Sequence, residues 1–189
     1  MTEHSFPRPW GRREFLAIGT GAFALAALPL ALRRHVAIAR RTIPVMGTIA
    51  ELTVVHRSEA QAQEALEAAI AELRWVDATM TRFRRDSDIG RANAGASRDG
   101  VTVSAETAQV IETALRWSTA SDGRFDPGIG AASELWDVNN RREPPPPDAV
   151  QRLAGRSFWR HVDVERRASG GVVRYGERDL HLDLGGIGK

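Results

Sequence analysis

The sequence predicts an α+β fold, and three observations carry the prediction. Residues 60–77 and 104–121 repeat apolar side chains at helical spacing. Short alternating runs occur at 48–55 and again between 161 and 184. The helical and extended segments gather in blocks and do not alternate strictly, which argues against a doubly wound α/β sheet.

Residues 48–55 read as a strand with Ala50, Leu52 and Val54 on one face and Glu51 and Thr53 on the other. Residues 60–77 place Leu66, Ala69, Ile70, Leu73 and Val76 on one helix face. Val101-Thr102-Val103 is a short extended piece. Ser104 follows as an N-cap, with Glu106 in the first turn where the helix dipole favours an acid. Val110, Ile111, Ala114 and Leu115 give this second helix its buried stripe. The prolines 144–147 form a rigid connector, after which Asp148 is expected to cap a short helix near Leu153. A meander is predicted from His161: strands at 162–164 and 172–175, turns at Ser169-Gly170-Gly171 and Gly176, and a last strand ending at Leu184.

Composition narrows the function. The net charge is only +2, with Lys189 the sole lysine and arginine supplying the other basic groups, so the high pI near 9.8 reflects a small arginine excess. Five arginines against Glu3 and Glu14 sit in residues 1–39, which leaves the remainder near −1. A near-neutral body has no basic stripe for a phosphate backbone, and no nucleic-acid partner is expected. The absence of cysteine removes disulfides, thiolate nucleophiles and thiolate metal sites.

Arg12-Arg13-Glu14-Phe15-Leu16 opens an apolar stretch to Leu32 that Gly19, Gly21 and Pro29 weaken. Paired arginines before such a segment, with Ala37-Ile38-Ala39 as a cleavage-like site, resemble a twin-arginine export signal. Residues 1–39 are therefore set apart from the fold, and a periplasmic or periplasm-facing membrane-associated protein is expected.

Four segments carry chemistry. The first is Met46-Gly47-Thr48, where glycine lets backbone approach a flat ligand and the methionine thioether suits an aromatic face, or where the chain simply turns tightly into a strand. The second is Met80-Thr81-Arg82-Phe83-Arg84-Arg85-Asp86-Ser87-Asp88-Ile89, with Asn93 close behind. In it Phe83 offers a stacking surface flanked by arginines. The third runs from Ser121 through Asp122-Gly123-Arg124-Phe125-Asp126-Pro127-Gly128-Ile129 to Gly130, with Leu135-Trp136 after it. There Asp126 either accepts from a ribose hydroxyl or an adenine amine, or caps a turn. The last, Asp183-Leu184-Gly185-Gly186-Ile187-Gly188-Lys189, joins a carboxylate, bare amides and a cation at a strand end, a place suited to a phosphate-bearing ligand. Asp183 falls opposite the leucine face of 180–184. His56 and His161 read as exposed polar residues, and His181 shares the Asp183 face.

In this order and spacing the four segments resemble the ApbE family of FAD:protein FMN transferases, from about Thr42 to Lys189. The resemblance implies the ApbE-like fold. It also implies FAD contacts at Met46, Phe83, Arg124, Phe125, Asp126, Asp183 and Lys189, a backbone oxygen of Gly186 for Mg²⁺, and a flavin-accepting target protein as partner. Where the family usually has a threonine and later a proline-leucine pair, Gly128 and Ala131-Ala132 stand here, which predicts a looser loop. The family's later histidine-bearing motif and its Asp and Thr metal ligands fall beyond residue 189. No general base is assigned within 1–189, and the C-terminal part of the domain is expected to be missing. Two other readings stay open: a flavin-binding or FAD-hydrolysing protein without acceptor transfer, and an inactive fragment.

Overall fold

The computed structural model describes residues 36–188, so the twin-arginine segment and Lys189 lie outside the described residues. The chain begins with a hairpin of β1 (Ala37–Val45) and β2 (Thr48–His56). Met46 and Gly47 form its two-residue turn, with φ of 53° and 68°. Two successive left-handed residues give the turn type whose twist matches that of paired strands. β1 was not expected, because arginines and small residues hide its alternation. It takes in Ala37, Ile38 and Ala39, three residues that the sequence had set apart with the export segment, by pairing them with His56, Val55 and Val54.

One face of the hairpin lies on α1 (Glu59–Met80), which is longer than its apolar pattern alone suggested. Ser58 caps it by accepting from the Gln61 N–H. Ile43 and Val45 from β1 meet Leu66 and Ile70 from the middle of α1 in a small core. Met80, at the end of the same helix, belongs to the main core. A single helix thus carries both layers.

The main core is built on a three-stranded antiparallel sheet, with β5 (Gly170–Tyr175) between β3 (Val101–Val103) and β4 (Val162–Arg167). The predicted meander is therefore corrected at its end. Both edges of β5 are taken, so residues 180–184 find no ladder and make only an isolated parallel bridge between His181 and Ile129. Their alternation is real nonetheless: Leu180, Leu182 and Leu184 are buried and His181 and Asp183 are half-buried. β5 also starts earlier than expected, at Gly170.

Two helices escaped the sequence reading. α2 (Asp88–Gly95) is short and polar, and α4 (Gly130–Trp136) is a seven-residue piece. α3 (Ala105–Ala120) is capped by Ser104, as expected. The proline run does not end in an aspartate cap: Pro146 takes the cap position of α5 (Pro147–Leu153), and Asp148 sits in its first turn. A 3₁₀ turn (Phe158–His161) leads into β4. His56 bonds locally to the Ser58 amide, and His161 pairs with Glu177 at 3.1 Å.

Two polar contacts from α2 tie these pieces together. Asp88 accepts from the amide and hydroxyl of Ser104 at 2.8 and 2.7 Å and pairs with Arg91, joining the start of α2 to the start of α3. Burial alone would raise its pKa. Hydrogen bonds from Ser104, Thr107 and Arg91 outweigh that and hold it below the usual carboxylate range. Asn93 replaces the strand that residues 180–184 lack. Its Oδ1 accepts from the Leu182 N–H at 2.8 Å and its Nδ2 donates to the Leu182 carbonyl at 3.0 Å. The Tyr175 hydroxyl donates to the same Oδ1 at 2.9 Å, and burial pushes that phenol's pKa up, so it stays a donor.

Both contacts predict measurable stability effects. The folded pKa of Asp88 lies below its unfolded value, so its contribution is present above about pH 4 and is lost as pH falls through the folded value. Asp88→Asn should flatten the acid limb of a stability-versus-pH curve followed by urea denaturation. Asn93→Ala removes the partners of a buried amide, a buried carbonyl and a buried phenol. It should lower the unfolding free energy by about 2–4 kcal/mol in the same assay.

Candidate functional site

A cleft of about 750 Å³ opens where the hairpin layer meets the main core. Its walls come from the hairpin turn (Met46, Gly47), the end of α1 and the chain after it (Val76 to Phe83), the 124–129 loop and the turn after Asp183. That volume falls within the range of small-molecule and cofactor sites. Met46, Phe83, Arg124, Phe125, Asp126, Asp183 and Gly186, singled out in four separate stretches of sequence, all line it.

Each wall has a local reason for its shape. The Met46-Gly47 bend reaches the cleft because β1 and β2 are nine residues each and pair without slippage. Phe83 follows the C-terminus of α1 and is 79% exposed. The Arg82 guanidinium lies 4.2 Å from its ring centroid, leaving the other face open. Arg84 pairs with Asp86 outside the cleft, a solvated contact.

The 124–130 loop is pinned, which corrects the expectation of a slack segment. Asp126 Oδ1 accepts from the Gly128 N–H at 2.8 Å, so the carboxylate does cap a turn. The Asp183 N–H donates to the Pro127 carbonyl at 2.8 Å, and the Gly130 N–H to the His181 carbonyl at 2.7 Å. A side chain at 128 would bring its Cβ within 2.6 Å of the Phe158 Cβ, so glycine here permits close packing and no slack. Phe125 leans on the opposite turn, where a Cβ on Gly186 would come 3.1 Å from the ring.

Asp183 is held in place through both carboxylate oxygens. Its Oδ1 accepts from the Gly185 N–H at 2.9 Å and its Oδ2 from Arg82 Nε at 2.9 Å. Arg82 also reaches Glu134 on α4 at 3.4 Å, and the other oxygen of Glu134 lies 3.1 Å from His181 Nδ1. The row Asp183–Arg82–Glu134–His181 therefore starts in the cleft wall, at Asp183 and Arg82, and continues to Glu134 and His181, which do not line the cleft. Arg82 was noted in the sequence as one of several flanking arginines, and Glu134 was missed. A lone carboxylate in an unrecognised short helix gives no signal that separates it from a solvated charge.

Among the lining residues the charges are those of Arg82 and Arg124 against Asp77, Asp126 and Asp183. No group of three or more His, Cys, Asp or Glu placed to hold a metal occurs among the described residues. The oxygen donors at hand suit a hard cation bound largely through phosphate oxygens and water, with one or two protein oxygens.

Comparison with known proteins agrees with the geometry. The FAD:protein FMN transferase of Treponema pallidum is 31% identical over 150 residues, covering 77% of this chain and 41% of that protein. The enzyme of the same name from Salmonella typhimurium is 26% identical over 147 residues, covering 76% of this chain and 42% of that protein. The solved flavin transferase ApbE from Vibrio cholerae shares the fold with a TM-score of 0.71 at 21% identity, over 82% of this chain and 50% of that one. The ApbE protein of Thermotoga maritima does so with a TM-score of 0.70 at 19% identity, over 80% and 48%. The chain thus spans from two fifths to one half of these relatives. The profile of the ApbE family matches residues 46–189, most of the sequence and all four motif segments, and this chain belongs to that family.

Proposed function

We propose that the protein carrying this chain is an FAD:protein FMN transferase and that the cleft is its FAD site. The observation that carries the reading is the convergence of Met46, Phe83, Arg124, Phe125, Asp126, Asp183 and Gly186 on one cavity from distant stretches of chain. In the proposed reaction a threonine or serine hydroxyl of the acceptor protein bonds to the flavin-side phosphorus of FAD. The bond from that phosphorus to the bridging oxygen breaks, AMP leaves with that oxygen, and the hydroxyl proton is released.

Within this reading the chain's own residues bind and orient. The open face of Phe83, backed by Arg82, takes a planar ring of the dinucleotide. Arg124 is exposed at the cleft and meets phosphate charge, as would Lys189 at the end of the glycine turn. Met46 supplies a soft apolar contact beside the ring. Asp183 holds the turn, through Gly185, in the form that presents its backbone to the ligand.

Two arginines against three aspartates leave the lining without surplus positive charge, and a pyrophosphate adds more negative charge. The Gly186 carbonyl and an Asp oxygen would help to hold a Mg²⁺ ion beside that pyrophosphate. When bound it neutralises the charge that develops as the pyrophosphate opens. We further propose export by the twin-arginine route, on the strength of Arg12-Arg13 and the weak apolar stretch behind them. The acceptor is then a membrane-associated or exported redox protein.

The full-length protein incubated with FAD, Mg²⁺ and a candidate acceptor should release AMP and leave a fluorescent flavin on the acceptor band of a denaturing gel. AMP and free FMN with no labelled acceptor would identify an FAD hydrolase instead. Phe83→Ala should weaken FAD binding about tenfold, by loss of one stacking contact, and Phe83→Tyr should restore it. Quenching of flavin emission reads both.

A further inference from the structure

We propose that Arg82 is a latent phosphate-binding group and that Glu134 occupies it until a phosphate of the bound nucleotide takes its place. The inference rests on the cleft being a nucleotide site and concerns a residue pair to which that reading gives no such role.

Arg82 has three neighbours of unequal grip. Asp183 takes its Nε at 2.9 Å, and the guanidinium lies over the Phe83 ring at 4.2 Å. These two hold the side chain in the cleft wall, where it is only 15% exposed. The third neighbour, Glu134, reaches Nη1 at 3.4 Å from a side chain that is 45% exposed. It is the longer and wetter of the two ion pairs, and it engages a guanidinium donor that can form a bidentate pair with phosphate.

Releasing Glu134 strands nothing. Its other oxygen already lies 3.1 Å from His181 Nδ1, and its exposure lets water take the vacated position. Asp183 keeps both its partners, because a phosphate would replace Glu134 at Nη1 and leave Nε where it is. Glu134 therefore behaves as a built-in anion that a ligand phosphate must displace. Glu134 does not itself line the cleft, but its pair with Arg82 offsets the charge that Arg82 would offer an anionic ligand there.

The test compares Glu134→Gln with the unaltered full-length protein, titrating FAD, ADP and riboflavin by fluorescence and calorimetry. Glu134→Ala serves as a second variant should the first fold poorly. FAD and ADP should bind about threefold more tightly to the variant, the size expected for removing an exposed ion-pair partner, while riboflavin is unchanged. An unchanged or weaker affinity for FAD and ADP, or an equal gain for riboflavin, would overturn the proposal. A gain for ADP from a protein that binds no FAD would leave the exchange at Arg82 standing and sink the flavin reading alone. Failure of the unaltered protein to bind either nucleotide would sink both.

Discussion

The side-chain amide of Asn93 is the contact on which the site depends. Residues 180–184 lie beside a sheet whose central strand has both edges filled, so the segment has leucines to bury and no strand to pair with. A buried extended backbone without partners is costly. Asn93 supplies one donor and one acceptor to Leu182, as a neighbouring strand would, and Tyr175 fixes the amide's orientation from the other side. Everything functional in the last wall of the cleft follows from that placement. Asp183 points outward because Leu182 points inward, and the glycine turn starts where it does because Asp183 caps it.

The same segment also disciplines the loop that faces it. Pro127 and Gly130 are bonded to residues 183 and 181, so the two walls of the cleft are tied to each other directly. The loop and the segment facing it are thus fixed relative to each other by backbone hydrogen bonds. Arg82 is central to the electrostatics. It is the half-buried cation between two carboxylates, in a lining that otherwise gathers negative charge.

Much of this was legible in the sequence, for identifiable reasons. The helix after Ser104 was readable because the cap, the first-turn acid and the apolar stripe agree with one another. The residues that line the cleft stood out in the sequence because glycine runs, an Asp-Pro step and an aromatic flanked by arginines are unusual enough to be noticed in order. β1 was hidden because three of the five positions in its inward register, Ala37, Ala39 and Arg41, are alanine and arginine. α2 was hidden because it is only eight residues long with few apolar side chains, although Ser87 caps it by accepting from the Gly90 N–H and Asp88 stands in its first turn. The last strand was over-read for the complementary reason: alternation reports which side is buried and says nothing of whether a neighbour is available. Glu134 was invisible because its meaning lies wholly in what stands across from it.

The hairpin has a consequence for geography. Its turn lines the cleft, while its open end, where the chain enters at Ala37, lies nine strand residues away, about 30 Å along the arm. Whatever precedes that entry point is fastened at the far end of a stiff lever. A leash attached there would be tied a strand's length from the cavity and would leave the turn that lines it unencumbered.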